Sequence, residues 1–185
     1  MIRKIVIIGP ESTGKSTLAA GLAQHFETTW VPEYAREYLL TNGTNYEFDD
    51  LLTIAKGQLA LEDEHTAQLE QHSQPLLEKG GQIPLFIDTD MYVMKVWCEF
   101  VFGKCHDFIL KEIVSRKYDL YLLCNTDLPW VKDELREYPD LETRRKLFLA
   151  YKDIMVNQSV PWVEIKGQSH QRLSQAINAV EYLLV

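Results

Sequence analysis

Eight residues near the amino end constrain this chain more than any other stretch: Gly9-Pro10-Glu11-Ser12-Thr13-Gly14-Lys15-Ser16, the pattern GxxxxGK[ST]. The octet follows an apolar run at 4–8 and precedes an amphipathic stretch, which is the strand–loop–helix context the pattern requires. Gly9 and Gly14 let the backbone curl so that amides of the loop, Glu11, Ser12 and Thr13 among them, face phosphate oxygens. The dipole of a helix beginning near Lys15 adds positive potential at the same point. Lys15 is expected to reach the β- and γ-phosphates, Ser16 to ligate Mg²⁺, and Thr17 to support the turn. The pattern implies binding of a nucleoside triphosphate and leaves the reaction open.

The remainder of the chain alternates two periods. Short apolar runs at 4–9, 28–32, 85–88, 119–124 and 162–165 are strand candidates, and amphipathic stretches separate them. Leu18, Ala19, Leu22, Ala23 and Phe26 mark one helical face, and Leu173, Ala176, Ile177, Val180 and Leu184 another. A third helix is expected over about 49–71, and a further pair over 91–102 and 108–116, broken near Gly103. Such alternation predicts βαβ units and an α/β fold: a five-stranded parallel sheet in a three-layer α/β/α sandwich. Residues 1–185 are expected to form one domain with a lid at about 126–145, since no linker or repeat divides them. In such sheets ligands bind at the carboxyl ends of the strands.

Two acids stand at those ends. The run 85–88 closes in Asp88-Thr89-Asp90, so Asp88 is expected to hold Mg²⁺ with Ser16. Asp90 either contacts substrate or caps the helix beginning at Met91. Glu33, in Trp30-Val31-Pro32-Glu33-Tyr34-Ala35-Arg36, is the candidate general base for an attacking hydroxyl. Arg36 lies one helical turn on, either holding the acceptor or the transferred group, or simply pairing with Glu33. Trp30 and Tyr34 suit a flat heteroaromatic ring, especially a cationic one, although Trp30 is equally placed for the core.

After the fourth strand a polar segment carries Trp130, Lys132, Arg136, Arg144 and Arg145, with Pro139 interrupting any continuous helix. A mobile charged segment that closes over phosphates excludes water and brings guanidinium groups to the transferred charge. Arg136 is the arginine assigned to transfer, and Trp130 is the lid aromatic expected to approach a ligand. Gly167, ending the fifth strand, is expected near the adenine. Trp97 and Trp162 read as packing.

Charge narrows the partners. Nineteen Lys and Arg against 27 Asp and Glu give a net charge of −8, which disfavours duplex nucleic acid and anionic membranes. A small anionic ligand stays compatible, because phosphate is bound by local donors. Three cysteines without CxxC spacing fit reduced thiols in a cytoplasmic protein. The five histidines show no metal-ligand spacing. Oligomeric state is not legible.

Taken together, GPESTGKST at 9–17, WVPEYAR at 30–36, Gly57-Gln58, Glu62-Asp63, Asp88-Thr89-Asp90, Lys95, Trp97, and Thr126-Asp127-x-Pro129-Trp130 with Arg136 resemble the ribosylnicotinamide kinase domain of NadR-type enzymes. The resemblance spans nearly the whole chain and implies a P-loop NTPase fold with ATP and Mg²⁺ as cofactors. It implies nicotinamide riboside as the nucleoside substrate, with Trp30 or Tyr34 on the ring and Glu33 or Asp88 at the ribose hydroxyls. Such proteins usually carry an adenylyltransferase domain upstream. The first strand here begins near residue 4, so a stand-alone kinase is expected. The other readings are a kinase of another nucleoside or small metabolite, and a nucleotide-sensing module with little turnover.

Overall fold

A strand sends successive side chains to opposite faces, so a run that is apolar at every position must be covered on both. The computed structural model describes residues 1–185. In it β1 (Ile2–Ile8) turns Ile5 and Ile7 into one core layer and Val6 and Ile8 into the other. β2 (Trp30–Val31), β3 (Ile83–Asp88), β4 (Leu120–Cys124) and β5 (Trp162–Ile165) complete a five-stranded sheet. Its order is β2-β3-β1-β4-β5, and every pairing is parallel.

On one face, α1 (Lys15–His25) and α7 (Ser169–Leu184) lay Leu18, Leu22, Ala176 and Val180 against Ile5, Ile7 and Leu122. On the other, α4 (Met91–Phe102) and α6 (Leu141–Asn157) bring Val93, Val96, Leu147, Phe148 and Tyr151 onto Val6, Ile8 and Ile87. α2 (Tyr34–Asn42), α3 (Phe48–Glu78) and α5 (Asp107–Ser115) meet α4 in a third cluster around Ala35, Leu51, Ile54, Met94 and Ile109. The result is the three-layer α/β/α sandwich the alternation implies. No helix is long and apolar enough to cross a membrane.

Several boundaries differ from the sequence reading for local reasons. β2 has only two residues, because it is an edge strand and Pro32 cannot donate to a ladder. α3 runs to Glu78 through Pro75, seven residues beyond the end expected from its apolar stripe. The segment expected to form the lid is cut at its far end. Residues 125–140 hold no helix or strand, but the Asp140 carboxylate accepts the Thr143 N–H at 2.7 Å and starts α6 at Leu141. Arg144 and Arg145 therefore belong to the first turns of a helix.

Strand order fixes what meets what. β1 and β3 are neighbours, with Ile7 in register with Asp88, so the loop after β1 lies beside the acid ending β3. β2 flanks β3 and delivers Glu33 to the same end.

Candidate active site

The loop after β1 is held tightly from behind. A Cβ on Gly9, whose φ is +140°, would lie 2.7 Å from the Cys124 carbonyl oxygen, so no other residue lets β1 and β4 meet there. Thr13 is buried and its hydroxyl donates to the Pro10 carbonyl at 2.7 Å. Arg172, also buried, donates to the carbonyls of Thr13 (2.9 Å), Asn125 (2.8 Å) and Gly167 (2.8 Å), and to the Asp127 carboxylate. Loop carbonyls are thus engaged behind the loop. The Lys15 ammonium donates to the Pro10 carbonyl at 3.2 Å.

Ser16 and Asp88 form the next element. The Ser16 hydroxyl donates to Asp88 Oδ2 at 2.5 Å, while Asp88 Oδ1 is buried with no partner. Burial and the Glu33 carboxylate push the Asp88 acid up to about 7, with Lys15 and Ser16 pulling the other way. Thr89, next in sequence, has φ +82° and a buried unpaired hydroxyl, a strained arrangement of the kind that collects at sites. A buried carboxylate oxygen without a partner, beside a hydroxyl, fits a hard divalent cation. No group of three His, Cys, Asp or Glu gathers here. A cation at this point would therefore complete its shell with phosphate and water oxygens, as Mg²⁺ does in nucleotide sites.

Asp90 is pushed up to about 7 as well, chiefly by burial. An acid raised in the folded state binds a proton on folding between its ordinary pKa and the raised one. Stability of the cation-free protein should therefore fall as pH climbs from about 4 to about 7. Calorimetric melting across that range checks this, and Asp88→Asn should flatten the slope.

A cavity of about 330 Å³ runs from the phosphate loop to an aromatic wall; Ser16 lines it, while Asp88, Thr89 and Asp90 are buried outside its lining. The phosphate loop forms one side. Trp30, Glu33, Arg36 and Leu39 form another, and Val93, Val96, Trp97 and Phe100 of α4 with Leu147 and Tyr151 of α6 close the far end. Glu33 precedes α2 without bonding the amides of that helix, so its carboxylate stays available to the cavity.

Three sequence assignments are corrected by geometry. Tyr34 does not line the cavity: its ring lies on α3, where a Cβ on Gly57 would fall 2.1 Å from Cε1, and its N–H donates to Gln58 Oε1 at 2.8 Å. Asp90 is buried and accepts from the amides of Tyr92 (3.0 Å) and Val93 (3.3 Å) and from the Tyr121 hydroxyl (2.9 Å), so it caps α4 and is not offered to a substrate. Trp130 lies outside the cavity, and its indole donates to Glu11 Oε1 at 3.2 Å.

That last bond belongs to a latch. Glu11 Oε1 also accepts the Tyr138 N–H at 2.7 Å, and Oε2 the Glu137 N–H at 2.9 Å. The Val131 N–H donates to the Ser12 hydroxyl at 3.0 Å. The Glu11 carboxylate is thus turned onto the segment 130–138, while its amide belongs to the phosphate loop. Arg36 completes the closure with two bonds to Asp133 at 3.2 and 3.3 Å. Arg136 lines the cavity while donating to the Val131 carbonyl at 2.5 Å. The Gly167 N–H donates to Asp127 Oδ2 at 2.6 Å, and this glycine lies outside the cavity. Glu11→Ala should reduce hydrogen-exchange protection of the Glu137 and Tyr138 amides by roughly tenfold to a hundredfold, the worth of a charge-assisted hydrogen bond. Unchanged protection would show that the latch contributes nothing.

Sequence reasoning missed the far wall. Val93, Val96, Trp97 and Phe100 recur at i, i+3, i+4 and i+7, a stripe that reads as core but faces the cavity. Tyr138 and Tyr151 gave no signal.

With this geometry in hand, comparison with known proteins decides the family. A model described as AAA domain, AAA_28, matches residues 4–172. The chain belongs to that family. Among curated relatives of this AAA_28 domain, the trifunctional NAD biosynthesis/regulator protein NadR of Escherichia coli K12 is 27% identical over 184 residues, covering 97% of this chain and 42% of the relative. The Salmonella typhimurium protein of the same name is 28% identical over 188 residues, covering 99% and 43%. The chain thus spans less than half the length of the curated relatives it matches. Among solved structures, a NadR protein in complex with NR superposes with a TM-score of 0.78 at 22% identity, over 98% of this chain and 49% of that one. A thymidylate kinase from Ehrlichia chaffeensis reaches 0.63 at 16% identity, over 97% and 98%. These likenesses establish a kinase-like P-loop fold, and the NadR resemblance runs the length of the chain.

Proposed function

We propose that this domain transfers the γ-phosphoryl group of ATP to a ribose hydroxyl of nicotinamide riboside, giving nicotinamide mononucleotide and ADP. The observation that carries the reading is the convergence on one cavity of the phosphate loop, the Glu33 carboxylate and an aromatic wall, with the buried Asp88 bound to the Ser16 hydroxyl at the cavity's edge. Two further supports are the NadR relatives and the solved NadR structures, one in complex with NR and one with NAD and AMP-PNP.

In this reading the loop amides and Lys15 hold the β- and γ-phosphates. Ser16 and Asp88 would hold Mg²⁺, which would supply neutralisation of charge on the phosphate oxygens. The acceptor hydroxyl oxygen forms a bond to the γ-phosphorus as the bond to the β,γ-bridging oxygen breaks, and ADP departs with that oxygen. Glu33 accepts the hydroxyl proton. Arg136, brought to the cavity by the latched segment, stabilises the transferred charge. Trp30 and Trp97 flank the heteroaromatic ring, and their π faces suit a cationic one.

An acceptor screen with Mg-ATP tests the proposal. Nicotinamide riboside should give mononucleotide and ADP in equal amounts. ADP release independent of any acceptor would mean that no kinase reaction takes place, and turnover of a different nucleoside would replace the substrate.

A further inference from the structure

Tyr151 of α6 has a hydroxyl that no role above uses. The residue is 5% exposed, and its ring packs with Val6, Ile8, Val93 and Leu147. Elsewhere in the core, phenol hydroxyls are matched: Tyr121 donates to Asp90 at 2.9 Å, and Tyr118 to Glu62 at 2.9 Å. The Tyr151 hydroxyl makes no hydrogen bond within the protein, and it is not one of the fully enclosed unpartnered polar atoms, since the residue lines the 330 Å³ cavity. Burial and the carboxylates of Glu33 and Asp90 raise its pKa well above the ordinary phenol value, so it stays protonated and acts as a donor.

A hydroxyl that opens onto a cavity is free to bind water or a ligand, and packing alone does not call for it, since phenylalanine would fill the same core position. The ring is accounted for by packing, but the oxygen is not. A donor aimed into an otherwise aromatic and aliphatic end of a cavity is what fixes ligand orientation.

We propose that Tyr151 is a specificity-determining residue of the acceptor site, its hydroxyl donating a hydrogen bond to an oxygen of the bound acceptor. The inference rests on the kinase reading. For a heteroaromatic riboside the accepting oxygen is either the exocyclic carbonyl or a sugar oxygen, the same chemistry from two parts of one ligand.

Tyr151→Phe tests it, because the ring and its packing are kept. With Mg-ATP and nicotinamide riboside, the acceptor KM should rise roughly 2- to 12-fold, the loss of one neutral hydrogen bond, with the KM for ATP unchanged. Melting temperature should hold or rise, which separates the effect from a folding defect. Repeating the pair with a pyridinium riboside that lacks the carboxamide locates the bond. A penalty that disappears places it at the carbonyl, and one that persists places it at the sugar. An acceptor KM unchanged by Y151F overturns the proposal, as does an equal rise in both KM values. If wild type prefers another nucleoside, the comparison is made with that one. A wild type that phosphorylates no acceptor defeats the kinase reading and this inference together, whereas a fully active Y151F defeats this inference alone.

Discussion

Lys15→Ala should lower turnover by at least about 10³-fold while leaving the fold intact. Removal of a single preorganised donor from developing charge costs about 10²–10³ in related settings, and Lys15 carries a full positive charge at that point. Its one bond in the structure runs to the Pro10 carbonyl at 3.2 Å, so truncation leaves no buried partner stranded. The loop's shape is set elsewhere, by Gly9 against Cys124, by the Thr13 hydroxyl and by Arg172. Melting should therefore be unchanged, and nucleotide affinity should weaken less than turnover, because the amides remain. Steady-state kinetics with a nucleotide-binding titration checks both. Wild-type turnover would remove the phosphate-loop assignment. Arginine at this position should not rescue, since a planar fork does not replace a compact charge at the same spot.

The sheet was legible because its strands must be apolar on both faces, and the phosphate loop because a turn of that shape needs glycines in fixed places. The strand pattern also put Asp88 and Glu33 at the carboxyl ends of β3 and β2, where the structure has them. Position alone did not tell what Asp90 and Tyr34 would touch. A cap and a catalytic acid look alike two residues apart, and only the amides of Tyr92 and Val93 and the Tyr121 hydroxyl show which one Asp90 is. Tyr34 was lost to Gly57, a contact from α3 across 23 residues that no local pattern encodes. The α4 stripe was visible but ambiguous: a helix face toward a cavity and a helix face toward a core have the same period. Tyr151 was invisible because α6 lay beyond the expected lid, and the start of that helix depends on Asp140.

Glu33→Gln should reduce turnover by 10² or more with the acceptor KM little changed, the scale of a lost general base. Glutamine keeps the side chain's shape and removes both the proton acceptor and the charge. The charge has a second effect that makes the result diagnostic. Glu33 is one of the causes that push Asp88 up to about 7, so its removal brings that acid back toward its ordinary value. A cation needs Asp88 deprotonated, and Mg²⁺ activation in the variant should therefore persist to lower pH than in wild type. Asp88→Asn should act oppositely, raising the Mg²⁺ requirement because the negative charge and one of the two carboxylate oxygens, of which one is unpartnered, are lost. If Glu33→Gln raises only the acceptor KM, Glu33 binds the sugar and another group takes the proton. If it lowers turnover and also raises the Mg²⁺ requirement, the two acids act as one site. A fall in turnover with Mg²⁺ bound at lower pH is the outcome that assigns proton transfer to Glu33 and metal binding to Asp88.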